Sequence, residues 1–450
     1  MAVPAARPQH ARLDYGFFGH PRGLSTLFFT EMWERFSFYG MRAFLILYMV
    51  APVAQGGLGF ADRDAASIYG TYTGSVWGAA IFGGLVADRF LGQYRSVLIG
   101  GLVIAAGHFT LAFKALPAFY SGLAMIVVGT GLLKPNVSTL VGSLYEPGDA
   151  RLDAGFSLFY MGINLGAFLG PLAAGWLAQR VDWHLGFASA GVGMVLGLGQ
   201  DLLGKRWLQP AIDRLSLTAD RGAERPEGSG SRIRALATAE WRRVGAIVIF
   251  FLAATVFWGA YEQAGTTLTF FADRYTRLQV WGVSIPASWF QSVPAIFLIL
   301  LAPLFAWLWV RLGPREPSVP AKFAWGLFWM GASFLILVPA GGAAERVLGT
   351  RVSPWWLIGS YLLSEFGELC LSPVGLSAVA KLAPAHLVGV MMGIWFLSNA
   401  FGDKLAGWTA GFFGAMPLQT LFGVVAAVVL GASGVMYLLV RPVRGLMGQG

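Results

Sequence analysis

Residues 31–40 read EMWERFSFYG, set between the apolar flanks GLSTLFF and MRAFLILYMV. At 100° per residue of helix, Glu31, Glu34, Arg35, Phe38, Tyr39 and Arg42 fall within an arc of about 140°. Met32, Trp33, Phe36 and Ser37 point mostly elsewhere. Carboxylates and guanidinium groups on one stripe can bind protons, pair with one another, or grip a charged ligand. Similar groups recur in other apolar runs: Lys134 in GTGLLKPNVSTLVG, Glu262 in FWGAYEQAG, Glu365 and Glu368 in SEFGELCLSPVGLS, and Asp403 and Lys404 in NAFGDK. The acids Glu31, Glu34, Glu262, Glu365, Glu368 and Asp403 outnumber the bases Arg35, Arg42, Lys134 and Lys404. An acid surplus away from water favours proton binding. Bases dominate the first half of the chain, whereas Glu262, Glu365 and Glu368 lie in the second. A ligand with a carboxylate at one end and an ammonium at the other suits that split.

The elements that must position these groups are apolar helices. Of the 450 residues 56% are hydrophobic and 12% charged, against about 25% charged in water-soluble chains. A span needs roughly 20 apolar residues, which leaves room for about a dozen. The reading gives twelve: 24–51, 68–88, 95–113, 118–142, 154–178, 184–203, then 243–272, 285–310, 323–340, 353–380, 388–413 and 418–440. The expected fold is an all-α membrane protein of two six-helix bundles, 24–203 and 243–440. Residues 1–23 form an N-terminal tail, 204–242 a polar linker and 441–450 a C-terminal tail. Lysines and arginines concentrate in alternate loops, for example Arg89, Arg95, Lys205, Arg311 and Lys381 on one side. That places both termini and the linker in the cytoplasm.

Other classes find little support. The net charge of +9 sits in short loops, where orientation explains it better than nucleic acid does. The lone Cys370 rules out an intrachain disulfide, and no Cys/His spacing suggests a metal site. No nucleophile–base pair stands at membrane depth, so an enzyme is not expected. His108 reads as a hydrogen-bonded packing residue. No cleaved signal peptide is expected, because the N-terminal stretch lacks an apolar core. Pro135, Pro294 and Pro373 are read as interrupting helices near the charged groups, as breaks at binding sites do, with a tolerated kink as the commoner reading of each proline alone.

Several stretches carry a resemblance. GGLVADRFLGQYR, residues 83–95, resembles the loop signature of the major facilitator superfamily, with Asp88 capping a helix and Arg89 and Arg95 facing lipid headgroups. EMWERFSFYG resembles the ExxERFxYY signature of the proton-coupled oligopeptide transporters. LLKPNVS, FSLFYMGINLGAFLGP, ELCLSPVGLS and MMGIWFLSNAFGD resemble, in order, that family's fourth-, fifth-, tenth- and eleventh-helix motifs.

The resemblance implies the twelve-helix major facilitator fold and a symporter in the cell inner or plasma membrane. Protons and di- and tripeptides would be its partners; no cofactor is implied, and a monomer is expected. Arg35 and Lys134 would hold the peptide carboxylate and Glu368 its amino terminus. Asn164 and Tyr39 would bond the peptide backbone; Trp258, Trp395 and Asn399 would line side-chain pockets. Glu31, Glu34, Arg35 and Glu262 would couple protons, with Arg42 and Lys134 as candidate partners of Glu262 and Glu368 as a further gate candidate. The alternatives are a proton-coupled carrier of another anion or zwitterion, and a non-transporting peptide sensor. The chain departs from the family at Phe38, usually tyrosine, at Pro294, often asparagine, and at Tyr261, which precedes Glu262 where some relatives have an acid. The second segment also lacks the histidine that animal members use.

Overall fold

A computed structural model describes residues 14–146, 148–223, 238–280, 282–346, 351–384 and 387–448. Most of the tail 1–23 and the middle of the 204–242 linker lie outside the described residues. The helices are α1 (Arg22–Val50), α2 (Asp62–Val86), α3 (Gln93–Leu111), α4 (Leu116–Ser143), α5 (Leu152–Arg180), α6 (Trp183–Ala223), α7 (Thr238–Tyr261), α8 (Thr267–Tyr275), α9 (Val293–Leu312), α10 (Val319–Leu335), α11 (Leu337–Arg346), α12 (Trp355–Leu382), α13 (Val388–Ala410), α14 (Leu418–Leu438) and α15 (Val440–Leu446). α1–α6 form one bundle and α7–α15 the other. Among the described residues, nine helical stretches are long and apolar enough to cross a membrane by length and composition alone. α1 is not among them. It carries four buried charges, so hydropathy alone undercounts it. The only strands described, β1 (Gln279–Val280) and β2 (Val283–Ser284), form a small hairpin between α8 and α9.

Several boundaries differ from the sequence reading for identifiable reasons. The first bundle does not end at 203. α6 continues to Ala223, because Leu208 and Ala211, with Ile212 and Leu215, form a stripe that packs on the core beside α4. Arg214 donates to the carbonyls of Ser143 and Tyr145, fixing the extension there. The stretch is amphipathic rather than loose, and its polar composition hid that. The C-terminal tail likewise begins with α15, whose Val443 is buried.

The seventh span breaks at Glu262–Gly265, a tight 3₁₀ turn before α8, although no proline marks it. The reading of prolines as interruptions needs correction. α4 and α12 run on through Pro135 and Pro373, and Pro294 stands in the first turn of α9, where its missing N–H costs nothing. Asp88 does not cap a helix backbone. It accepts from the Gln93 side chain at 2.9 Å, across a π-helical turn at Ala87–Leu91, while Arg89 and Arg95 are exposed.

At the linker end, Arg151 donates to the carbonyls of Asp14 and Gly19, and His20 bonds Tyr145 at 2.9 Å. Hydrogen bonds from Arg151 hold the Asp149 carboxyl down at about 2, so this tether keeps its charge near neutral pH.

The two halves are joined mainly at the hairpin end. Asp62 on α2 pairs with Arg274 on α8 at 2.6 and 2.7 Å. Arg180 donates to the Ser284 carbonyl, Gln179 accepts from the Ser288 N–H, and the Trp289 indole donates to the Leu172 carbonyl. α2 and α13 touch backbone to backbone. A Cβ on Gly70 would lie 2.7 Å from the Asp403 carbonyl and 2.9 Å from the Gly407 Cα. No hydrogen bond or ion pair among the described residues joins α4 to α12, the corresponding elements toward the linker end.

Candidate functional site

α1 runs through the middle of its bundle and is buried on most sides, not only on its charged stripe. Met32, Ser37 and Met41 are buried along with Glu31, Glu34, Arg35, Phe38 and Arg42. The crowding forces the charges to compensate one another, since an isolated ion at this depth is strongly disfavoured. The Arg35 guanidinium pairs with Glu31 at 3.1 Å and with Glu34, and lies over the Phe38 ring. Three of the site residues named from sequence thus form one buried network on a single helix.

Two turns further along, Arg42 pairs with Glu262 across the two halves and donates to the Tyr69 hydroxyl at 2.7 Å. Its guanidinium also lies over the Tyr39 ring, 5.6 Å from the centroid. Of the two partners expected for Glu262, the structure places Arg42 there and not Lys134. The 3₁₀ turn begins at Glu262 itself, so the break in the seventh span sits at this ion pair.

Lys134 approaches no carboxylate within ion-pair distance among the described residues. Its ammonium lies 3.2 Å from the centroid of the Trp77 ring on α2, an arrangement that suits a cation over an aromatic face. Trp77 in turn stacks on Phe396 of α13, with centroids 6.1 Å apart. The charges of Glu31, Glu34 and Asp403 lie within electrostatic reach of Lys134. Lys134 and Glu368, each named as a gate candidate, are not paired with each other. Lys404 does not join the buried bases: it is exposed and donates to Thr71 at 2.5 Å. The surplus of buried acid is therefore larger than the sequence suggests.

In the second half, Glu365 and Glu368 lie one turn apart on α12, both buried. The Tyr261 hydroxyl donates to Glu365 at 3.0 Å. Tyr261, the residue that departs from the family pattern, thus holds one of the two acids. Trp258 packs edge-on against Phe257 and Tyr261, and its indole N–H has no partner among the described residues. The Trp395 ring lies against Gly375 and Phe323. Asn399 is buried on the same helix as Trp395. Asn164 on α5 is buried and donates to the Tyr160 carbonyl at 3.0 Å, leaving its amide oxygen available.

The sequence reading passed over several residues of this region. Tyr69 and Tyr72, three apart on α2, reach the α1 cluster; Phe38 packs on Tyr72, whose hydroxyl has no partner among the described residues. Their i, i+3 spacing in IYGTYTG was the available signal. Asp403, already counted among the acids, is almost fully buried, and neither of its oxygens has a hydrogen-bond partner among the described residues. His108, named from sequence as a hydrogen-bonded packing residue, is fully buried in α3 as expected, but neither ring nitrogen has a hydrogen-bond partner among the described residues.

Two helical bundles meeting at buried charges of both signs, with a broken helix at one of those charges, define a multi-pass membrane transporter of the major facilitator type. The sequence profile of the POT family matches residues 94–215 and 229–427, and the chain belongs to that family, which is one of transporters and not of enzymes. A peptide transporter of Yersinia enterocolitica is 39% identical over 96% of this chain and 96% of that protein. A di-/tripeptide transporter of Lactococcus lactis subsp. cremoris is 34% identical over 96% of this chain and 98% of its own length. A crystal structure of a POT peptide transporter in complex with sulfate superposes with a TM-score of 0.88 at 40% identity, covering 98% of each chain.

Proposed function

We propose that the chain is a proton-coupled symporter that imports di- and tripeptides across the cell's inner or plasma membrane by alternating access, with both termini in the cytoplasm. The observation that carries this reading is the division of charge between the two bundles. Arg35 and Lys134 stand in the first half and Glu368 in the second, a spacing of signs that suits a zwitterion. The relatives' names point to the same substrates.

In this scheme Arg35 and Lys134 hold the peptide carboxylate and Glu368 meets its ammonium. Tyr39 and the free amide oxygen of Asn164 bond the peptide backbone. Trp258, Trp395 and Asn399 line the space for its side chains. Arg42 and Glu262 form a link between the halves that closes the hairpin end. A proton on Glu262 would weaken that link, so protonation and opening toward the outside are one event. Glu31 and Glu34 exchange protons against the fixed charge of Arg35. No cofactor takes part, and a monomer contains every residue named.

The test is uptake of a labelled dipeptide into proteoliposomes of the purified protein. An inward proton gradient should drive accumulation above equilibrium, and collapsing it should abolish that accumulation. Binding without uptake would leave a peptide sensor as the reading. Driven uptake of another zwitterion, with none of the dipeptide, would change the substrate class.

A further inference from the structure

The role of Glu365 is open. Its side chain is completely buried, at 0% exposure, in the middle of α12. Tyr261 donates to its Oε1, while its Oε2 is buried with no donor among the described residues. Glu368, one turn on, shows the same defect at its own Oε2. The two side chains lie one turn apart on α12, a spacing that makes residues neighbours on one helix face, and neither has an ion-pair partner among the described residues. The titratable groups facing the pair from neighbouring elements are Tyr261 on α7, Glu262 in the turn after it, Tyr160 on α5 and Tyr39 on α1. None of these is a cation.

An ionised carboxylate only accepts hydrogen bonds. Two ionised carboxylates side by side in a water-poor interior repel each other, and their facing oxygens remain unsatisfied. One proton between them removes both problems. We propose that Glu365 is the positioning acid of the amino-terminal end of the site: it shares one proton with Glu368, so that the pair carries a single negative charge presented by Glu368. Tyr261 occupies Oε1 of Glu365 and leaves Oε2 to bear the proton and donate it to Glu368. The remaining oxygen of Glu368 is then turned toward an ammonium. One negative charge meets one positive charge, so a peptide can dock there without any proton leaving the pair. This deepens the proposed function and rests on its assignment of Glu368 to the peptide's ammonium.

The first test needs no peptide. In infrared difference spectra of the reconstituted protein at neutral pH, wild type minus Glu365→Gln should show the C=O band of a protonated carboxyl. In Glu368→Gln that band should move to higher frequency, because the proton then faces an amide and not a carboxylate. No band, or a band unmoved in Glu368→Gln, overturns the shared proton. The second test is dipeptide affinity. Glu365→Leu, which removes the donor, should bind at least about tenfold more weakly than Glu365→Gln, whose amide still donates to Glu368. Equal affinity of the two variants overturns the positioning role. If wild type shows the band and its shift but never binds a dipeptide, the substrate assignment fails and the shared proton stands.

Discussion

Glu31 and Glu34 on α1, and Glu365 and Glu368 on α12, are the same local device. Each is a pair of glutamates three residues apart on one face of a buried helix. The difference lies in the next residue along the chain. On α1 it is Arg35, whose guanidinium touches both acids. On α12 it is Leu369, and a tyrosine hydroxyl from another helix is the donor that reaches the pair. The first pair has a fixed cation beside it on its own helix, although one positive charge faces two acids and Glu31 Oε2 and both Glu34 oxygens have no hydrogen-bond partner among the described residues. The second depends on a proton or an incoming cation. Identical spacing of acids therefore yields a pair with a built-in cation in one half and a pair without one in the other, and the identity of a single neighbouring residue separates them.

The comparison can be broken most directly at Arg35. Arg35→Gln leaves both α1 acids without their internal cation, and removing one partner of a buried ion pair costs about 3–5 kcal/mol. A large drop in the thermal unfolding temperature of the detergent-solubilised protein is expected, with proton-driven uptake lost. The equivalent change on α12, Glu365→Gln, removes no compensating charge and should leave the unfolding temperature nearly unchanged. Equal drops in the two variants would show that the pairs do not differ in the way described.

A second experiment uses the ligand as one arm of a double-mutant cycle. Amidating the dipeptide carboxylate should cost about 2–5 kcal/mol in wild type and much less in Lys134→Gln, where one of its partners is already gone. Acetylating the amino group should behave in the same way with Glu368→Gln. Competition binding reads both. If each blocked peptide loses the same affinity in wild type and in both variants, these residues do not recognise the termini.

Glu262→Gln sharpens the comparison at the junction of the halves. Arg42 keeps its bond to Tyr69 but loses its charged partner. Accumulation driven by a proton gradient should disappear while peptide exchange across the membrane continues. Full driven accumulation by the variant would remove Glu262 from coupling. The smallest effect is expected at Asp62–Arg274, which is partly exposed at the hairpin end. Asp62→Asn should change stability by no more than about 1 kcal/mol. A modest change in transport rate, rather than loss of transport, is the expected readout.

Much of this site was legible because charge inside a lipid-soluble segment is costly and so cannot be incidental. The α1 stripe, Lys134, Glu262 and Glu368 could be found from that rule alone. Partners were harder. Nothing local to Glu262 says that Arg42 rather than Lys134 reaches it, and nothing local to Glu365 names Tyr261, because both pairings are set by how distant helices pack. Prolines misled for the opposite reason. Pro135 and Pro373 are strong local signals, yet α4 and α12 continue through them. The real break at Glu262 has no such marker. Polar composition concealed the α6 extension, where a narrow apolar stripe is enough to hold a helix against the bundle.

The backbone contact between Gly70 and Gly407 has a practical consequence. The seam between α2 and α13 closes only because neither position carries a side chain, and a Cβ on Gly407 would come within 2.6 Å of the Ala66 carbonyl. Even one methyl group at either place is a wedge in a door. It would prop the hairpin end ajar, at Gly407 against the Ala66 carbonyl and at Gly70 against the Asp403 backbone, without replacing any charged side chain of the site. These two glycines are thus where the protein can be jammed in its opposite posture by steric means alone, with its proton chemistry left intact.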